Sequence, residues 1–257
     1  MYALEIENLN FGYETKTVLE NISFKVKQGE FISIIGPNGS GKSTLLKLLS
    51  NIYNPKSGTI LIQGKNIKDY KRKELAKKMA LVPQNTVTDY EFLVEDIVLM
   101  GRYPYIGRFE KEKDEDYHIV DEALKLTNTY NLKKRRINEI SGGELQRVIV
   151  AKALAQNPDI LLLDETTSHL DINHQMEILR LLKNLNQKKG TTVVLVIHDI
   201  NLASRYSDRI LLLNNGSILG IGQPSEVVNK PNIEKAYNLK VAIERNPITD
   251  SIHIIPL

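Results

Sequence analysis

Residues 36–44 read GPNGSGKST, and no other stretch restricts the possible folds so far. The pattern is G-x-x-x-x-G-K-S/T, with glycines at Gly36, Gly39 and Gly41. Without side chains there, the backbone can wrap tightly enough for several N–H groups to converge on one phosphate chain. The preceding FISII run is almost continuously apolar, as in a strand buried on both faces. The following TLLKLLSNIY has helical spacing, so a helix starting near Lys42 points its N-terminal dipole at the same anions. Gly36, Pro37, Asn38, Gly39, Ser40, Gly41, Lys42, Ser43 and Thr44 are thus candidate nucleotide-binding residues. In such a loop Lys42 reaches the β- and γ-phosphates, and the Ser43 hydroxyl ligates Mg²⁺. A strand–loop–helix unit of this kind demands an α/β core with a parallel sheet.

The rest of the chain agrees with such a core. Continuous apolar runs recur at 160–163, 192–197 and 209–213, the pattern of buried parallel strands. Leu4, Ile6, Leu9 and Phe11, then Ile22, Phe24 and Val26, then Ile60 and Ile62 alternate with polar residues, which predicts a half-exposed antiparallel sheet. From Thr86 to Asn157 strand signals vanish; Ile119, Val120, Ala123 and Leu124 sit at helical spacing opposite charges. The expected organisation is one interrupted domain. Its nucleotide-binding core and β subdomain span 1–85 and 158–220, a helical subdomain 86–157, and a small α+β tail 221–257.

A second chemical element is ILLLDE at 160–165, an apolar strand ending in two carboxylates. Ligands bind at the carboxyl ends of parallel strands. Asp164 is the candidate metal ligand, through water, and Glu165 the candidate general base for an attacking water. Taken alone, such an ending suits a solvated sheet edge equally well; a phosphate loop in the same chain favours nucleotide hydrolysis. Ser141 and Glu144 form a capping-box pattern at the start of a helix with apolar Leu145, Val148, Ile149 and Ala153.

Composition mostly excludes. There are no cysteines among 257 residues, so disulfides, thiolate nucleophiles and Cys-ligated metals are ruled out. With 34 Lys+Arg against 31 Asp+Glu the net charge is +3, too weak a field to argue for nucleic acid as a partner. The basic runs 71–78 and 133–136 read as solvated faces. No apolar run approaches the roughly 20 residues that span a bilayer. The start MYALEIENLN lacks a signal-peptide pattern. A cytoplasmic protein follows, acting at a membrane only as a peripheral partner.

With ISGGELQR at 140–147, the chain resembles an ABC-transporter ATPase subunit over nearly its whole length. The resemblance assigns Tyr13 to the aromatic that stacks on adenine and Gln84, after LVP, to the glutamine loop that touches metal or water. It assigns SHLD at 168–171, with Asp171, to the loop after the acidic strand, and His198 to the switch histidine at the γ-phosphate. Ser141, Gly142, Gly143 and Glu144 become the signature that binds the γ-phosphate of ATP held by a partner. It further implies ATP and Mg²⁺ as ligands, a head-to-tail homodimer with ATP at the interface, and integral-membrane permease subunits. A substrate-binding protein is an indirect partner, and the expected location is the inner face of the cell membrane. Catalytic roles fall to Glu165, His198, Gln84 and Lys42, and metal ligation to Ser43, Gln84 and Asp164.

Two positions depart from the family: Glu144 stands for the usual glutamine and Thr166 for the usual proline. Neither removes a catalytic group. GRYP at 101–104 with TSHLDINHQ at 167–175 resembles the ATPases of metal-chelate importers for iron–siderophore, haem or cobalamin. Taken alone, GRYP is a turn closing a helix at Pro104. The alternatives are a soluble ABC ATPase of iron–sulfur assembly, against which GRYP argues, and a non-hydrolysing regulatory module. Repair-type ATPases would need long heptad arms and translation-type ones a second phosphate loop; the sequence has neither.

Overall fold

Cross-strand apolar pairs build the first layer. Leu4, Ile6 and Leu9 of strand Tyr2–Tyr13 face Val26, Phe24 and Ile22 of strand Lys16–Lys27 in antiparallel register. Leu4 and Ile6 also face Ile62 and Ile60 of strand Ser57–Ile62 on the other side, giving one apolar row three strands wide. Ile6 and Leu9 are three residues apart, which strict alternation would put on opposite faces. A register shift between them, with Asn8 at φ 48°, returns both to the buried side.

A computed structural model describes residues 1–14, 16–84, 91–166 and 171–257. The described chain divides into two compact units, Met1–Asp69 with Thr192–Leu257, and Tyr70–Thr191. The first holds the antiparallel sheet and a set of buried strands. Phe31–Ile35, all five residues buried, lies between the parallel strands Thr192–Val196 and Arg209–Asn214. Strand Ser217–Gly222 pairs antiparallel outside the last. Helix Lys42–Leu49 is shorter than its apolar spacing predicts. Asn51 turns left-handed at φ 59°, and Tyr53 leaves the helical face to stack on Phe11 with centroids 5.4 Å apart. Beyond residue 223 come helices Pro224–Val227 and Lys230–Tyr237 and the hairpin of Val241–Arg245 with Ile252–Pro256.

In the second unit, strands Met79–Val82 and Ile160–Asp164 pair in parallel. Described residues 91–157 form helices and turns, with helices Val94–Leu99, Asp114–Leu126 and Gly142–Ala155 packed together. Val120, Ala123 and Leu124 are buried as their spacing requires. Residues 134–136 of the basic run 133–136 are exposed as expected, while the part-buried Lys133 ammonium pairs with Asp121 at 2.5 Å. No helix among the described residues is long and apolar enough to cross a membrane.

The GRYP segment carries an internal tie that sequence reading did not anticipate. Buried Arg102 donates from Nε to Asp116 Oδ1 at 2.9 Å and from Nη1 to the Ala155 carbonyl at 2.8 Å. Its guanidinium lies 4.0 Å from the Tyr105 ring centroid. Burial would raise the Asp116 carboxyl, but the Lys113 backbone N–H and the Arg102 guanidinium outweigh it and hold the group below its ordinary value. The pair's contribution is therefore full above the usual carboxylate range and lost as pH falls through the lowered value. Arg102→Ala strands a buried carboxylate, and the expected loss is about 3–5 kcal/mol at neutral pH in urea unfolding of the full chain. A loss under about 1 kcal/mol would show that the pair is not a structural tie.

Candidate functional site

In the first unit, register brings two motifs to one edge. Ile34 is paired with Val196 in neighbouring parallel strands, so Gly36 and His198 each emerge two residues beyond a matched pair. The apolar runs predict a strand end at each; the pairing makes them neighbours. The loop needs its glycines for space as well as conformation. Gly36 has φ 150°, and a Cβ there would meet the Leu213 carbonyl oxygen at 2.2 Å. Gly41, the N-cap of helix Lys42–Leu49, has φ 102°, and a Cβ would meet Leu19 Cδ2 at 2.6 Å. Such close backbone approach leaves N–H groups for anions at the start of a helix.

Lys42 is buried, and its ammonium donates to the carbonyls of Gly36 at 2.9 Å and Pro37 at 3.0 Å. Those bonds fix where the positive charge sits in the loop. Ser40 is 2% exposed, yet its hydroxyl has no hydrogen-bond partner among the described residues. Buried hydroxyls are normally satisfied, so this one marks a place for a ligand oxygen. Tyr13 is exposed beside the loop, edge-on to Phe11 and Tyr53 at 5.2 and 5.9 Å. Hydrogen bonds from Tyr53 and Thr44 hold its phenol below the ordinary value. An exposed ring braced at the phosphate loop suits stacking on a flat base.

The second unit repeats the register device. Val82 pairs with Leu163, and two residues further Gln84 Nε2 donates to Glu165 Oε2 at 2.5 Å. Asp164 ends its strand buried. Glu165 has φ 50°, a left-handed conformation rare for a glutamate. Backbone held there costs about 1–3 kcal/mol and concentrates at working sites. Thr166 follows, buried, with no hydrogen-bond partner for its hydroxyl among the described residues. Nothing in the sequence signalled the left-handed turn.

The signature helix is capped as its pattern predicts. Ser141 Oγ accepts from the Glu144 N–H at 3.3 Å, and the Glu144 carboxylate accepts from the Ser141 N–H at 2.8 Å and hydroxyl at 2.9 Å. Those bonds, the backbone one first, hold Glu144 below its ordinary value. The extra negative charge is thereby committed to its own helix end. Beyond its own helix, a Cβ at Gly142 would meet no described atom within 4 Å, so that side of the helix start is approachable. Asp171 caps helix Ile172–Lys189, accepting from the His174 N–H at 2.9 Å. Thr167, Ser168, His169 and Leu170, part of two sequence motifs, lie outside the described residues.

A glycine loop with a buried lysine at a helix start defines a P-loop nucleotide-binding protein. A family model described as ABC transporter matches residues 19–168. The ferric enterobactin transport ATP-binding protein of Escherichia coli (strain K12) is 39% identical over 251 residues, 98% of this chain and 93% of that one. An inward-facing structure described as a metal-chelate type ABC transporter superposes with a TM-score of 0.87 at 32% identity, covering 100% of this chain and 98% of that one. A dimeric ATP-binding cassette in a post-hydrolysis state with ADP and Pi gives 0.76 at 32% identity, over 86% and 98%. The chain belongs to the ABC transporter family, as an ATP-hydrolysing cassette subunit with the ABC ATPase fold.

Proposed function

We propose that the chain drives import of an iron–siderophore or similar metal chelate through a separate permease, as a homodimer on the cytoplasmic face of the membrane. The observation that carries the coupling is the Gln84–Glu165 hydrogen bond. It ties the candidate general base to the residue from which the chain enters its helical segment. Glu165 takes a proton from water; the water oxygen then attacks the γ-phosphorus, and the bond to the β–γ bridging oxygen breaks to leave ADP and phosphate. Lys42 and the loop N–H groups hold the phosphates, Tyr13 stacks on adenine, and His198 donates to the γ-phosphate oxygens. Ser43, Asp164 and Gln84 each carry a hard oxygen donor of the kind Mg²⁺ takes. When bound, Mg²⁺ neutralises charge on the β- and γ-oxygens. Ser141, Gly142, Gly143 and Glu144, with Asp171, serve the nucleotide of the second copy, while Gln84 turns the presence of γ-phosphate at its own site into movement of the helical segment.

The cargo class rests on the ferric enterobactin and metal-chelate relatives, together with GRYP and the described part of TSHLDINHQ. Purification of the tagged chain from detergent-solubilised membranes tests the reading. Recovery of a hydrophobic permease is expected, with ATP turnover stimulated by a binding protein loaded with a ferric siderophore. Recovery of soluble iron–sulfur assembly proteins alone would sink it.

A further inference from the structure

Among the described residues of the first unit, two buried side-chain oxygens lack a hydrogen-bond partner, and both belong to the surroundings of Gly36. One is Ser40 Oγ, 2.8 Å from where a Gly36 Cβ would stand. The other is Tyr237 Oη, on the last residue of helix Lys230–Tyr237. The Gly36 backbone N–H faces that phenolic oxygen, short of ordinary hydrogen-bond geometry. Burial pushes the phenol up to about 12, and the Gly36 N–H opposes the shift, so the group is a neutral hydroxyl at any physiological pH.

The same C-terminal segment grips a second part of the nucleotide edge. Asn201 Nδ2 donates to the Ile254 carbonyl at 3.3 Å, and the Ile254 N–H donates to Asn201 Oδ1 at 2.7 Å. One carboxamide thus joins hairpin strand Ile252–Pro256 to helix Ile200–Tyr206, three residues after His198. Asp199, next to His198, caps that helix by accepting from the Leu202 N–H at 2.9 Å. The segment is itself cross-braced. The Leu257 N–H donates to the Lys240 carbonyl at 3.0 Å, and the Val241 N–H to Glu234 Oε1 at 3.3 Å.

We propose that residues 224–257 are a positioning element for the nucleotide, in which Tyr237 braces the phosphate loop at Gly36 while the Asn201–Ile254 pair braces the helix behind His198. A hydroxyl and an N–H that face each other without full hydrogen-bond geometry form a contact that a small loop movement completes. Gripping a phosphate chain supplies that movement, and the closed contact then favours the nucleotide-bound loop over the open one. Tyr237 is a positioning residue and touches no reacting atom. The inference rests on residues 36–44 being the phosphate site.

The test uses the full-length protein with Mg–ADP and a non-hydrolysable ATP analogue. Tyr237→Phe keeps the ring and its packing and deletes one oxygen. We expect the dissociation constants for both nucleotides to rise about 3- to 10-fold, the worth of one buried hydrogen bond. The melting temperature without nucleotide should stay within about 2 °C. In the unaltered protein, nucleotide should slow amide exchange at 252–255 about 10-fold, and Tyr237→Phe should cancel that protection. If the unaltered protein binds neither nucleotide, the phosphate-site reading itself fails. If it binds them but Tyr237→Phe binds as tightly, or exchange at 252–255 ignores nucleotide, the C-terminal segment has no positioning role.

Discussion

Glu165→Gln is expected to lower steady-state ATP turnover roughly 100- to 10,000-fold while nucleotide binding survives, the range set by removal of a general base. The substitution is close to isosteric, and the new carboxamide still accepts the bond that Gln84 Nε2 now donates to Glu165 Oε2. What should disappear is the capacity to take a proton from the attacking water. The left-handed backbone at residue 165 is unaffected, because its strain belongs to the turn between strand Ile160–Asp164 and Thr166 and not to the side chain. Chemistry is thus separated from architecture. With hydrolysis blocked, the ATP-bound homodimer should accumulate, visible as a shift to twice the mass in gel filtration with Mg–ATP. Phosphate release as fast as in the unaltered protein would remove Glu165 as the base.

How much of this could be read from sequence depends on how local each constraint is. The tight turns at Gly36 and Gly41 around a buried Lys42 were legible because their conformational demands fall within nine consecutive residues. The Ser141–Glu144 cap was legible for the same reason, spanning one helical turn. Strand Phe31–Ile35 announced itself because burial on both faces leaves no polar position. Strand Met79–Val82 did not, being four residues directly after a lysine-rich helix, where an apolar run fits either structure. The left-handed turn at Glu165 was hidden because no glycine or asparagine signals it. Arg102 with Asp116 and Tyr237 with Gly36 were hidden for a different reason. Each joins segments that only the folded chain brings together, the latter pair about 200 residues apart in sequence. The register pairs are an intermediate case. Strand ends were legible, but that Ile34 meets Val196 and Val82 meets Leu163 decides which chemical groups become neighbours.

Lys42→Met should weaken Mg–ATP binding by at least about 100-fold with little change in the melting temperature of the protein alone. Methionine fills nearly the volume of the lysine stem, so the buried position stays packed. Two effects on the nucleotide-free protein oppose one another. The Gly36 and Pro37 carbonyls lose their donor, at about 1–3 kcal/mol for each group left buried and unsatisfied. Against this, a charge in a residue only 4% exposed no longer has to be desolvated. For the bound nucleotide there is no such offset. A charge-assisted hydrogen bond is worth about 1.5–3 kcal/mol, and each 1.4 kcal/mol is tenfold in affinity. Two such bonds to phosphate oxygens, lost together, account for the expected factor. Titration calorimetry with a non-hydrolysable ATP analogue, beside thermal unfolding without it, measures the two quantities separately. Unchanged affinity would mean that the Lys42 ammonium serves only to tie its own loop, through the carbonyls it already holds.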